Sequence, residues 1–156
     1  MEHSFRETFE RYLDDVHVGD TFRHWPGRTI SQAAADQFCY WTSNSQPLHL
    51  DAEYAAVSQH GQVLVNGILV FAIAVGLSVP NLSGNTIANL GFERVDHHAP
   101  VFIGDTIYAD TEILEVRPSA SRPDRGIVKV KTEVKNQRGE TVLSYLRTFM
   151  LPRRLA

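Results

Sequence analysis

Leu64–Pro80 reads LVNGILVFAIAVGLSVP, and the fold turns on where those side chains go. The run is almost wholly apolar, interrupted by Asn66, Gly67 and Gly76. A membrane-spanning helix needs about 20 apolar residues, so this one is at the lower limit. No basic residue flanks it closely enough to set an orientation across a bilayer. A helix that is apolar on every side belongs either in lipid or deep in a protein core. The short length and the internal polar residues assign it to a core, as a helix over roughly 67–79 stopped by Pro80.

Something must cover that helix, and the rest of the chain supplies it. Beyond Gly84 the pattern turns to strands. Thr86–Phe92 alternates weakly, Val101–Ile103 is a short apolar run, and TIYADTEILEV (106–116) alternates clearly. GIVKVKTEV (126–134) alternates almost without error, NQRGE (136–140) is a hairpin turn, and Thr141–Leu151 is the last strand. Between them, 117–126 is a Pro/Ser/Arg-rich loop, long for a simple hairpin. Upstream, HVGD (17–20) is a turn and 21–30 a strand broken at Pro26-Gly27. Ser31 caps a helix whose Ala34, Phe38 and Trp41 share a face, and Pro47 ends it. Asp51 caps a short helix over AEYAAVSQ that is over by Gly61. Helices first and antiparallel strands second make an α+β class. The expected architecture is one domain, 1–156, with an antiparallel sheet wrapped around a buried apolar helix. One small sheet covers such a helix poorly on all sides, so a homodimer or higher homo-oligomer is expected.

Composition narrows the function. A net charge of -3 and the absence of basic runs argue against a nucleic-acid partner. The single cysteine, Cys39, excludes an internal disulfide and a CxxC metal site, which suits a cytoplasmic protein. The charged start, MEHSFRETFERYLDD, has no apolar signal core, and no membrane association is expected. There is no GxxxxGK loop and no GxGxxG fingerprint, so nucleotide hydrolysis and NAD use are not expected.

The chemistry-bearing stretch is TSNSQPLHLD, Thr42–Asp51, where one imidazole and several neutral amides and hydroxyls follow an apolar helix. Two further motifs come after it in order: Val65-Asn66-Gly67 at the buried helix, and FERVDHHAPVFIGD with Phe92, Pro100, Val101, Gly104 and Asp105. With these three motifs the chain resembles the MaoC-like dehydratases, which have the hot-dog fold and include (R)-specific enoyl-CoA hydratases. The family motif runs Ser/Thr-Gly-Asp-x-Asn-Pro-Leu-His, and its second motif is Val-His-Gly. Here the acid is replaced by Asn44 and the second histidine by Asn66. This form of the motif looks like the branch that includes itaconyl-CoA and mesaconyl-CoA hydratases (β-methylmalyl-CoA dehydratases).

The resemblance implies reversible hydration of an enoyl-CoA to a 3-hydroxyacyl-CoA, branched or dicarboxylic, with CoA as part of the substrate and no separate cofactor. Such a reaction needs a base for water, a proton for the α-carbon and stabilisation of an enolate oxygen. His49 is the expected acid/base, since imidazole titrates near neutrality. Gly67, at the start of the buried helix, offers an unpaired N–H with no side chain in the way. Asn44 cannot transfer a proton but can orient water by its carbonyl and donate from its NH2. A carboxylate there would repel a substrate carboxylate by about 4 kcal/mol at about 4 Å and an effective dielectric of 20. Asn44, Gln46 and Asn66 are all neutral amides, which suits an anionic substrate. Arg94, Arg122, Arg125 and Lys129 are the candidates for CoA phosphates or a substrate carboxylate.

Two other readings stay open. A hot-dog thioesterase would want an acid near the buried helix, and 64–80 holds none. A non-catalytic acyl-CoA-binding subunit is supported by Asn44. Outside the motifs, His3, His17 and His24 carry no partner pattern, while His60 is a weaker site candidate. His97 and His98 are expected to point to opposite faces of a strand, so no metal is expected there. Cys39, Trp25, Trp41 and Phe71 are read as core.

Overall fold

The computed structural model describes residues 9–154, so His3 lies outside it. Five strands form one antiparallel sheet in the order β1-β3-β4-β5-β2. They are β1 (Thr21–Thr29), β2 (Ala88–His97), β3 (Thr106–Pro118), β4 (Arg125–Asn136) and β5 (Thr141–Pro152). Between β1 and β2 lie α1 (Gln32–Thr42), α2 (Pro47–Leu50), α3 (Ala52–Ala56) and α4 (Gly67–Leu77). This is the expected hot-dog arrangement, with the central strands curled under α4. Gly139, at φ +79°, closes the β4–β5 hairpin, and its N–H donates to the Asn136 carbonyl at 3.0 Å.

Strict alternation builds the core. Along β4 every second residue is buried, from Gly126 through Val128, Val130, Thr132 and Val134 to Asn136. Leu69, Val70 and Ala74 of α4 pack on Ile107, Ala109, Val134, Leu143 and Tyr145. A second cluster, Leu13, Val16, Leu82, Ile113, Val128, Val130, Phe149 and Leu151, fills the other end of the sheet. Phe71 is half-buried, edge-on to Phe92 at 4.9 Å and to Tyr145 at 5.1 Å.

Several boundaries differ from the sequence reading. α4 ends at Leu77, where Ser78 Oγ donates to the Val75 carbonyl at 2.7 Å, and Pro80 sits in a π turn over Val79–Ser83. The first strand is not broken at Pro26-Gly27; a bulge between His24 and Arg28 absorbs them. Val101–Ile103 is not a strand but a single bridge, Leu64 to Phe102. The short helix is finished at Ala56. Trp25 and Trp41 are exposed, at 82% and 70%, rather than in the core.

The sheet covers only one side of α4. Ile68, Ala72 and Gly76, four residues apart, form an exposed stripe on the opposite side. No helix among the described residues is long and apolar enough to cross a membrane.

Two buried polar side chains had no sequence signal beyond inward parity. Arg147 of β5 lies among the inward residues Tyr145 and Phe149 and is 7% exposed. It has no carboxylate partner among the described residues. Its Nε donates to Asn89 Oδ1 at 2.7 Å, its terminal nitrogen reaches the hydroxyls of Ser78 and Ser83, and its plane covers the Phe149 ring. It ties β2 and β5 to the end of α4, and burial lowers its pKa.

His24, expected to be unpartnered, is buried in a chain of hydrogen bonds. Its Nδ1–H donates to Asn81 Oδ1 at 2.6 Å, and its Nε2 accepts from Thr111 at 2.8 Å. Thr111 is bonded in turn to Thr132 at 2.8 Å. Burial holds the His24 imidazole below its ordinary pKa of 6.5, against opposing contributions from Asn81 and Asp110. Below that value the unfolded chain takes up a proton that the folded chain refuses, so this residue destabilises the fold as pH falls. Urea midpoints measured from about pH 8 down to about pH 5 are expected to decline below pH ~6.5, and the decline should flatten in His24→Gln.

Candidate functional site

The chain after α1 is shaped by its own polar side chains. Ser43 turns it in a left-handed conformation, φ 54°, and the Asn44 N–H donates back to the Cys39 carbonyl at 2.9 Å. Asn44 Oδ1 then accepts the Gln46 N–H at 3.0 Å, a short-range turn of the kind Asn favours. Gln46 Oε1 accepts from Leu48 N at 3.4 Å, and Pro47 occupies the first position of α2, where its missing N–H costs nothing. These steps place His49 on the inner side of α2, half-buried.

His49 is locked by one bond. Its Nδ1 lies 2.7 Å from the Leu64 carbonyl, which can only accept. Nδ1 therefore carries the hydrogen, and the neutral ring keeps its lone pair on Nε2. The Leu64 N–H donates to the Leu48 carbonyl at 3.0 Å, so α2 and the segment before α4 are clasped together. Val65 N donates to Val101 O at 2.8 Å, which ties that segment to the loop before β3.

Asn66 is the N-cap of α4: its Oδ1 accepts the Ile68 N–H at 2.9 Å. The N–H of Gly67 finds no acceptor among the described residues, as expected for the first position of a helix. The ring of His97 lies directly on Gly67. A Cβ added there would fall 2.5 Å from His97 Cε1 and 2.9 Å from its Nδ1. A side chain at that position would push the exposed His97 ring aside.

These groups open on one cavity of about 500 Å³. Asn44, His49, Asn66 and Gly67 line it, with His60, His97, His98, Val70, Val101 and Val142. No Asp, Glu, Lys or Arg lines it. The arrangement offers one fixed proton acceptor, the Asn44 amide, and unpaired N–H at the positive end of a helix. It suits chemistry at a polarised carbonyl with water activated nearby.

The expected residues divide. Asn44, His49, Asn66 and Gly67 come together. Gln46 does not line the cavity; it is exposed and caps α2. The Asn44 carbonyl, expected to orient water, accepts the Gln46 N–H with one lone pair, which leaves its second lone pair and its NH2 for water or a ligand. Arg94, at φ 51°, sits in a bulge of β2, 79% exposed and 3.9 Å from Asp96. Arg122 is exposed on the β3–β4 loop, and Arg125 is bidentate to its neighbour Asp124 at 2.9 Å. Lys129 is paired with Glu93 at 3.1 Å. None of these cations lines the cavity.

The expectation that His97 and His98 face opposite ways holds: the His97 ring lies on Gly67 of α4, whereas His98 Nε2 is 2.8 Å from the Ser144 hydroxyl, beside Lys131 and Leu146 on the outer face of the sheet. Both residues border the cavity, where the strand ends at His97. His98 N and Ala99 N both donate to the Val142 carbonyl, at 2.9 and 3.4 Å, which closes the pairing with β5. No group of three metal-ligating side chains occurs among the described residues. Asp105, the acid of the third motif, is a brace: it accepts from Phe102 N, Gln137 and Arg138. Burial opposes its ionisation, yet those bonds keep its pKa below the usual value. Cys39 is buried, and burial raises its thiol pKa.

A family model described as mesaconyl-CoA hydratase matches residues 4–156. The chain belongs to this family. The mesaconyl-CoA hydratase of Haloarcula hispanica is 33% identical over 161 residues, covering 95% of this chain and 45% of that protein. The (R)-specific enoyl-CoA hydratase of Aeromonas caviae is 29% identical over 125 residues, covering 80% of this chain and 89% of that one. Among solved structures, a putative MaoC domain dehydratase from Chloroflexus aurantiacus superposes with TM-score 0.89 at 26% identity, over 98% of this chain and 48% of that one. A Mycobacterium tuberculosis protein described as a double hotdog fold gives TM-score 0.84 at 27% identity, over 92% and 44%. The chain thus spans 42% to 45% of the length of the mesaconyl-CoA hydratases it matches. The hot-dog and MaoC-like expectations hold.

The His49 tautomer is directly measurable. Long-range proton–nitrogen spectra of labelled protein are expected to show Nδ1 protonated and Nε2 bare in the neutral ring. The opposite pattern would mean that the Leu64 carbonyl does not hold this imidazole.

Proposed function

We propose that this protein catalyses reversible addition of water to an enoyl-CoA thioester, giving a 3-hydroxyacyl-CoA. The reading rests on one observation above all. His49 donates from Nδ1 to Leu64 O, which leaves Nε2 unpartnered among the described residues, and it lines the same cavity as Gly67, the first residue of α4. In this reading the thioester oxygen lies at the Gly67 N–H, where the helix end favours developing negative charge. His49 Nε2 takes a proton from water as its oxygen attacks the β-carbon. The same imidazolium then returns a proton to the α-carbon, so the ring ends as it began. Asn44 holds the acyl group or water through its NH2. The acyl group is branched or dicarboxylic, as the mesaconyl-CoA hydratase names of the relatives suggest.

CoA arrives as part of the substrate, and its phosphates are left to residues outside the cavity. Arg94 and Arg122 are exposed and available to them, whereas the Arg125 guanidinium is already held by Asp124. We read the working unit as a homodimer or larger homo-oligomer. The exposed Ile68-Ala72-Gly76 stripe of α4 and the double-length relatives both favour a second hot-dog unit beside this one. A thioesterase is disfavoured by the lack of any acid in the cavity. A non-catalytic acyl-CoA binder keeps one argument, Asn44 in place of the family's acid.

The test is a panel of enoyl-CoA and 3-hydroxyacyl-CoA thioesters, followed by absorbance of the conjugated thioester and by free thiol. Conjugation is expected to disappear without thiol release, and His49→Ala is expected to lower kcat by at least about 100-fold. Thiol release would replace the hydratase with a thioesterase, and binding without turnover would leave the non-catalytic subunit. Asn44→Asp is expected to shift preference toward monocarboxylic substrates, because it returns a carboxylate to the site. An unchanged ratio of the two substrate classes would remove the electrostatic argument for the amide.

A further inference from the structure

Four histidines border the cavity, and three already have a partner on one ring nitrogen. His49 Nδ1 is on the Leu64 carbonyl at 2.7 Å and His98 Nε2 on the Ser144 hydroxyl at 2.8 Å. His60 Nε2 is 3.4 Å from the Gln59 amide nitrogen, and its ring stands edge-on to Phe102. His97 has no hydrogen-bond or ion-pair partner among the described residues. Yet its position is well defined by the backbone. It is the last residue of β2, in register with Leu143 of β5, and its ring rests on Gly67.

We propose that His97 binds a second carboxylate carried by the acyl group, and so sets the preference for dicarboxylic over monocarboxylic thioesters. This rests on the enoyl-CoA reading of the same cavity. If the thioester oxygen lies at the Gly67 N–H, a ring stacked on Gly67 lies beside the first acyl carbons. It is not beside the CoA or at the far end of a long chain. A carboxylate on the β-carbon, or on a short branch, is the anionic group a small acyl chain can bring to that place. The cavity contains no carboxylate to repel it and no Arg or Lys to claim it first. An imidazole with both nitrogens free can donate a hydrogen bond to a carboxylate oxygen. Gly67 is part of the device, since any side chain at that position would displace the ring.

The experiment compares wild type, His97→Phe and His97→Arg in two assays. The first is kcat and KM on mesaconyl-CoA and on crotonyl-CoA. The second is the dissociation constant for succinyl-CoA and for butyryl-CoA, saturated thioesters that bind without hydration. His97→Phe is expected to weaken the dicarboxylic thioesters about 10- to 100-fold, mainly in KM, as for loss of a hydrogen bond to a charged group. It should leave the monocarboxylic ones nearly unchanged, and His97→Arg should restore most of the preference. Equal losses on both classes, or no loss on either, would overturn the proposal. Should wild type hydrate neither enoyl-CoA, the hydratase reading falls and the binding assay alone decides. A succinyl-CoA preference that His97→Phe abolishes then supports carboxylate binding, and absence of that preference refutes it. If the phenylalanine variant does not fold, His97→Gln is judged by the same ratio.

Discussion

The carbonyl of Leu64 holds the site together. A backbone carbonyl partly shielded from water needs a donor, and here the donor is His49 Nδ1 at 2.7 Å. One bond therefore satisfies the backbone and fixes which nitrogen of the imidazole is basic. Its neighbours extend the clasp. Leu64 N reaches Leu48, Val65 N reaches Val101, and Asn66 caps α4. Three consecutive residues join α2, the loop before β3 and the start of the buried helix. The cavity exists because those three segments are held at fixed separation.

Charge is distributed to keep that cavity free of acids. On the outer face of the sheet, Lys129 pairs with Glu93 and Lys131 with Glu133. Asp105 is spent on Gln137 and Arg138 near the β4–β5 hairpin. Asn44 makes through its carbonyl the same turn bond that an Asp would make, so the loop keeps its shape while the charge is removed. What faces the cavity is a helix N-terminus, neutral amides and imidazoles. Such a lining tolerates an anionic ligand that a carboxylate-lined one would reject.

α4 sets the size of the unit. Its apolar surface exceeds what five strands cover, which leaves the Ile68-Ala72-Gly76 stripe exposed in the isolated chain. The relatives that are twice as long match this chain over less than half their length, and one solved neighbour is described as a double hotdog. Inside the unit, the end of α4 is secured by Arg147, whose buried cation has amide, hydroxyl and aromatic neighbours in place of a counter-ion.

Periodicity made the architecture legible. The apolar run at 64–80 announced a buried helix, the alternation at 106–116 and 126–134 announced strands, and Pro47, Asp51 and Gly139 marked the breaks. Those are local properties of a chain, carried by the spacing of side chains along it. The motif residues Asn44, His49, Asn66 and Gly67 were legible too, through the resemblance of their ordered motifs to the MaoC-like dehydratases. Contacts across the fold were not. Alternation put His97 and His98 on opposite faces of a strand, but that the His97 ring rests on Gly67 follows only from the packing of α4 against the end of β2. His24 read as partnerless because Asn81 and Thr111 are 57 and 87 residues away in sequence. By itself, then, the sequence determined most of the elements, their order and which polar residues are the candidates for the site. The tertiary structure alone decided which nitrogen of His49 is free, which imidazole rests on Gly67 and which arginine is buried. Each of those depends on a partner that no local spacing specifies.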